Sequence, residues 1–214
     1  MTNKPKVIPK IRNYYTFGYK IKLILWLVRT KIFYPKASLI KFPFDIRSKR
    51  FIDLGRNIKI GVGARFEAFS QDSKTKTLIC GDNIQINDYV HITAMRKVKI
   101  GNNVLMAGKI YISDCTHGFY ADESTPPHIP PVERPYDIKS VIIGDNVWIG
   151  EGVCILPGTV IGDGCIVGAN AVVKGVFEEN SVIVGVPARV IKKYNADTCR
   201  WEKYENQNII KHNK

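Results

Sequence analysis

An aliphatic residue returns every six positions at Ile143, Ile149, Ile155, Ile161, Val167 and Val173. Four places after each of the first five stands a small or β-branched residue: Val147, Val153, Thr159, Cys165 and Ala171. A helix at 3.6 residues per turn would carry such a pattern off its face within two turns, and plain strand alternation would not place Gly or Asn at regular offsets. A six-residue unit can instead be one short strand and one sharp turn. Its lead residue points inward, and glycine tolerates the positive φ of the turn. Stacked units bury a continuous column of Ile and Val, so a solenoid takes the place of a globular core.

The same phase recurs upstream in three shorter blocks. Leu54, Ile60 and Phe66 lead the first, with Ile58 and Ala64 four places on. Cys80, Ile86 and Ile92 lead the second, with Ile84 and Val90, and Ile100, Met106 and Ile112 lead the third, with Val104 and Ile110. Fifteen hexads result, six contiguous and nine in groups of three, with phase breaks near 70–79, 94–99 and 113–142.

The net charge of +13 over 214 residues belongs to one end of the chain. Residues 1–50 hold thirteen Lys or Arg against a single acid, Asp45, whereas the remaining body is nearly neutral. This appendage contains an apolar, partly helical run from Phe17 to Tyr34, whose uncharged core Leu23–Val28 is far too short to span a bilayer. Two readings stand for it: an arm (residues 1–40) resting on an anionic membrane through Tyr19, Trp26, Tyr34 and flanking cations, or a helix packed on the body. No recognition motif accompanies the basic arm, and a nucleic-acid partner is not expected. The five cysteines form no C-x-x-C, and their odd number without a secretory leader suits a reducing, cytoplasmic location, peripheral on the inner membrane face if the arm binds lipid.

The expected organisation is a basic appendage over 1–50, a coil stack over 51–186 with an inserted loop at 113–142, and a short helical cap with a frayed tail over 187–214. The inserted loop carries His117, His128 and five prolines. A long excursion from a solenoid is usually functional. His117 follows directly on a predicted strand, which exposes an imidazole beside rigid structure as a general base requires. Asp114 either orients that imidazole, binds substrate or simply forms the turn. His128 and His212 read as ordinary surface residues.

Over roughly residues 45–205 the sequence resembles the hexapeptide-repeat acyltransferases, most of all bacterial O-acetyltransferases of lipopolysaccharide and capsule biosynthesis. Four stretches carry the likeness: Ile84–Ile92, Ile112–Tyr120, Val147–Gly158 and the segment Gly185-Val-Pro-Ala-Arg189. The resemblance implies a mainly β fold, a left-handed parallel β-helix of about five coils, assembled as a homotrimer with active sites between subunits. It implies acetyl-CoA as co-substrate, a glycan acceptor and His117 as catalytic base in a direct attack on the thioester; the nearness of Cys115 in sequence makes a thiol relay a minor alternative. CoA is expected along Trp148, Gly150, Ala169 and Lys174, with Arg189 and Lys192 near its phosphates and Lys193 able to help. Glu151 departs from the smaller residue usual there. Asn87, Asp88 and His91 are expected beside the acceptor, an exposed ladder histidine being the other reading of His91. The same fold carries γ-class carbonic anhydrases, but the eleven-residue gap between His117 and His128 does not match their closely spaced histidines, and no metal is expected.

Overall fold

A computed structural model describes residues 14–121 and 124–204. The basic positions Lys4, Lys6, Lys10 and Arg12, the tail expected to fray and His212 lie outside the described residues. Three parallel sheets wrap a triangular prism. The first face stacks Leu39–Ile40, Lys59–Ile60, Gln85–Ile86, Leu105–Met106, Trp148–Ile149, Ile166–Val167 and Ser181–Gly185. The second stacks Phe44–Arg47, Ala64–Ala68, His91–Ala94, Tyr111–Ser113, Cys154–Ile155 and Val172–Val173. The third stacks Ile52–Asp53, Leu78–Cys80, Val98–Ile100, Val141–Ile143, Val160–Ile161 and Val176–Phe177.

The hexad arithmetic accounts for the core. Ile143, Ile149, Ile155, Ile161, Val167 and Val173 are each at most 1% exposed, as are the residues four places after the first five. Between strands the chain takes positive φ at Asn57, Asn83, Asn103, Asn146 and Asn170, or at Gly63, Gly152, Gly158 and Gly164. These corners need the left-handed region, which Gly and Asn enter at least cost. Along the corner from third to first face the asparagines bond to one another: Asn57 donates to Asn83 at 2.8 Å, Asn83 to Asn103 at 3.3 Å and Asn103 to Asn146 at 3.2 Å.

Two expectations about the ends are corrected. Six coils and a final strand are present rather than about five, because Leu39–Asp53 already forms a coil that begins within the segment assigned to the appendage. Pro43 and the 3-10 turn Lys49–Phe51 hide its repeat. The helical cap over Val190–Lys203 is instead a hairpin of Ala188–Asn195 and Arg200–Lys203, antiparallel to Ser181–Gly185 and continuing the first face. A helix would have left the N–H and C=O groups of that sheet edge unpaired, whereas the hairpin satisfies them.

Helix α1 (Phe17–Phe33) precedes the prism, N-capped by Thr16. It is tied down near its C-terminal end, where buried Thr30 accepts the N–H of Ile40 at 2.9 Å and Lys31 donates to the carbonyl of Ala37 at 2.7 Å.

Candidate functional site

All three phase breaks fall on one corner of the prism, between the second and third faces: 69–77, 95–97 and 114–140. They stack as one wall. Asp114 is its root. Fully buried, it accepts the backbone N–H groups of Met95, Arg96 and Lys97 at 2.7–2.8 Å, while its own carbonyl accepts the N–H of Lys139 at 2.8 Å. Of the roles open to Asp114, the geometry supports the turn-organising one, because its carboxylate is committed to three amides.

From this root the chain rises as Cys115–His117, paired antiparallel with Tyr136–Ile138. The exposed His117 ring lies on Tyr136, with centroids 4.8 Å apart. Gly118, at φ +99°, donates to Pro135 at 2.7 Å. Arg134 bolts the excursion together, donating to the carbonyls of Ile129 and Pro127 and to the hydroxyl of Tyr120 at 2.8–3.0 Å. That hydroxyl in turn donates to the carbonyl of His117. The backbone of His117 is therefore fixed, while neither ring nitrogen has a hydrogen-bond partner among the described residues. An imidazole so held can accept a proton from an incoming hydroxyl. Cys115 is half-buried beside the Ser113 hydroxyl, and burial pushes its thiol upward, away from a reactive thiolate. A polar cleft of about 420 Å³ opens at the hairpin root, between Ser70, Gln71, Asp72 and Thr75 on one side and Arg96 and Ile138 on the other.

The other expected residues lie elsewhere on the prism. Asn87 and Asp88 occupy the corner from first to second face, where Asp88 accepts the N–H of Val62 at 2.8 Å. They line a cleft of about 360 Å³ with Gly108, Lys109 and Glu151, so the expected acceptor residues meet Glu151 rather than His117 within one chain. Glu151 pairs there with Lys109 at 3.5 Å. Tyr89 and Lys109 in that cleft take φ of 59° and 55° without being Gly or Asn, a strain of about 1–3 kcal/mol each that tends to gather at functional sites.

His91 points outward from the second face. Its Nε2 lies 3.1 Å from both Glu67 Oε2 and Thr93 Oγ1, and its ring meets Tyr111 edge-on. Glu67 was not singled out by the sequence, since alternation reads it as a solvated residue. It is buried, with a side chain 7% exposed, and pairs with Arg47 and Arg65 as well as His91. Burial pushes the Glu67 carboxyl up, but hydrogen bonds from Arg65 and His91 and the nearby Arg65 and Arg47 charges outweigh it and bring it from 4.5 down to about 2.

Along the first face Trp148 stands half-exposed. Gly150 packs against the next coil so closely that a Cβ there would lie 2.6 Å from the amide nitrogen of Ala169. Lys174 and Arg189 are brought together across a cleft of about 400 Å³ with Tyr204. Lys192 is exposed farther along the same hairpin as Arg189 but does not line that cleft, and Lys193 is engaged by Glu178. Small residues beside an aromatic ring and a two-cation cleft suit a pantetheine with its phosphates. Among the described residues, no group of three or more His, Cys, Asp or Glu side chains is placed to hold a metal ion.

Comparison with known proteins bears on the fold and the family. A family profile described as bacterial transferase hexapeptide (six repeats) matches residues 140–175. Over 199 residues, 92% of this chain and the whole of the relative, the sequence is 43% identical to WbbJ of Escherichia coli (strain K12), which is named as a lipopolysaccharide biosynthesis O-acetyl transferase. A second relative, Rv3034c of Mycobacterium tuberculosis (strain H37Rv), named as an acetyltransferase, is 37% identical over 144 residues, 66% of this chain and 44% of its own. A mutant of AntD, an N-acyltransferase from Bacillus cereus solved with dTDP-4-amino-4,6-dideoxyglucose and coenzyme A, has a TM-score of 0.62 over 88% of this chain and 94% of that one, at 23% identity. That last likeness is one of fold.

Proposed function

This chain belongs to the bacterial hexapeptide-repeat acyltransferases, and on that premise we propose that it transfers an acetyl group from acetyl-CoA to a hydroxyl of a cell-surface polysaccharide or its lipid-linked precursor. The observation that carries this reading is His117, exposed on a bolted hairpin with both ring nitrogens unengaged among the described residues.

His117 accepts the proton of the acceptor hydroxyl as its oxygen attacks the thioester carbonyl. The C–S bond then breaks, the acetyl group stays on the sugar oxygen, and the departing thiolate takes the proton back from the imidazolium. A positioned base supplies roughly 10²–10⁴-fold, and holding the two substrates together supplies the larger share. Trp148, Gly150 and Ala169 flank the pantetheine, with Lys174, Arg189 and Lys192 toward the phosphates. The polar cleft beside Arg96 suits a saccharide.

Asn87, Asp88, Gly150 and Ala169 lie on another corner than His117, while Lys174 turns the same corner two coils on, and a homotrimer would bring the two corners together at subunit interfaces. We place three active sites there, in a cytoplasmic enzyme held peripherally at an anionic inner membrane face by residues 1–40.

The test is a thiol-release assay against a panel of acyl-CoAs and glycans, with mass spectrometry locating the modified hydroxyl. Acetyl-CoA turnover with a lipid-linked or polymeric saccharide is expected. Turnover only with nucleotide-linked or free sugars would move the acceptor to that class, and no thiol release with any saccharide would sink the assignment.

A further inference from the structure

Helix α1 presents two unlike sides. Tyr19, Leu23, Trp26 and Thr30, spaced by three and four, are its least exposed residues, and Thr30 anchors the helix to Ile40. At about 100° per residue, the opposite side is an apolar stripe of Phe17, Ile21, Ile24, Leu25, Val28 and Ile32. Each of these is 44–80% exposed, a concentration of bare apolar surface matched by no strand of the prism. Projection of the sequence also orders the cations. Lys20 and Lys31 run along one border of the stripe, Lys22 and Arg29 along the other, and the helix contains no acid.

We propose that this stripe is the surface that docks the protein on an anionic bilayer, with the helix lying in the interface plane. The inference deepens the membrane location proposed above by assigning it to one helix face. Apolar side chains would enter the headgroup–acyl boundary, while Lys20 on one edge and Lys22 on the other reach up to lipid phosphates. α1 is not long and apolar enough to cross a membrane, which fits a surface contact. A second copy of the chain is the other candidate occupant. It is disfavoured because a protein groove would need acidic rims on both sides to match the two cationic borders. Neither Lys20 nor Lys22 has an ion-pair partner among the described residues. The remaining two cations stay at the borders while contacting the protein: the Arg29 guanidinium lies 3.9 Å over the ring of Phe42, and Lys31 reaches Ala37.

The test is co-sedimentation of the full chain with phosphatidylcholine vesicles, with and without phosphatidylglycerol, in the absence of acetyl-CoA and acceptor. Preference for the anionic vesicles, weakening with salt, is expected. Ile24→Asp with Val28→Asp should lower partitioning at least about tenfold. Lys20→Glu with Lys22→Glu should lower it by roughly tenfold or more on anionic vesicles only. The second pair lies at exposed positions, so it keeps the test decisive if the first pair perturbs the helix. Equal partitioning to both vesicle types would overturn the proposal. So would an aspartate variant that binds as wild type, or one that changes oligomer mass without changing vesicle binding. No acetyl transfer is measured, so a failure of the proposed activity would leave this result standing, and the reverse.

Discussion

Lys139 donates its backbone N–H to the carbonyl of Asp114 at 2.8 Å, so the excursion bearing His117 leaves and re-enters the prism at one point. A loop closed at its base can be long without loosening the coils above and below it. The reactive ring is thus set by the hairpin and the Arg134 contacts, not by the length of the loop.

Removing the imidazole should abolish chemistry and little else. His117→Ala is expected to lower kcat by about 10²–10⁴-fold, with CoA affinity and oligomer mass unchanged. Thiol release together with isothermal titration of CoA checks both halves, and near-normal turnover would remove His117 from the mechanism.

Asp114 should behave as a structural residue. Asp114→Ala leaves three amides at the corner without their acceptor, and the loss should be roughly 2–5 kcal/mol. Urea unfolding measures it. A variant with wild-type stability but no turnover would instead make Asp114 a partner of the reaction.

Glu67 gives the fold a pH dependence of known sign. Its carboxyl is depressed in the folded state, so its contribution is complete above about 4.5 and is lost as pH falls toward about 2. Glu67→Gln should destabilise the protein at neutral pH by about 1–3 kcal/mol, modest because Arg47 and Arg65 are themselves half in solvent. Urea midpoints of the two proteins should converge through that acidic window, and a pH-independent gap would count against the ion pairs.

Gly150→Ala tests the packing of the expected CoA groove. The added methyl must displace the backbone of Ala169, which cannot rotate away as a side chain could. A loss of about 1–3 kcal/mol in thermal or urea unfolding is expected, together with a raised KM for acetyl-CoA. An unchanged KM would separate this corner from cofactor binding.

The prism was legible because its lead residues obey one local rule, and each proved buried where the period placed it, Leu54 excepted, which is only half-buried. The shared corner of the breaks was also latent in the sequence. Each upstream block holds three lead residues, one whole coil, so every break follows the same face. What stayed hidden depends on partners distant in sequence. Asp114 meets amides seventeen to nineteen residues away, and Glu67 meets His91 twenty-four residues on. The C-terminal hairpin was missed because Ala188–Asn195 has no hexad phase and takes its conformation from the sheet edge beside it.

The asparagine ladder from Asn57 to Asn146 runs along a different corner from the three excursions. The molecule accordingly has a spine and a working edge. Pitch is kept by side chains on one side, while the other side, beyond the corner that Asp114 holds with the amides of 95–97, is free to vary in length and composition. Exchanging 69–77 or 115–138 for the equivalent segments of a relative would therefore be a change of tool on an unchanged handle.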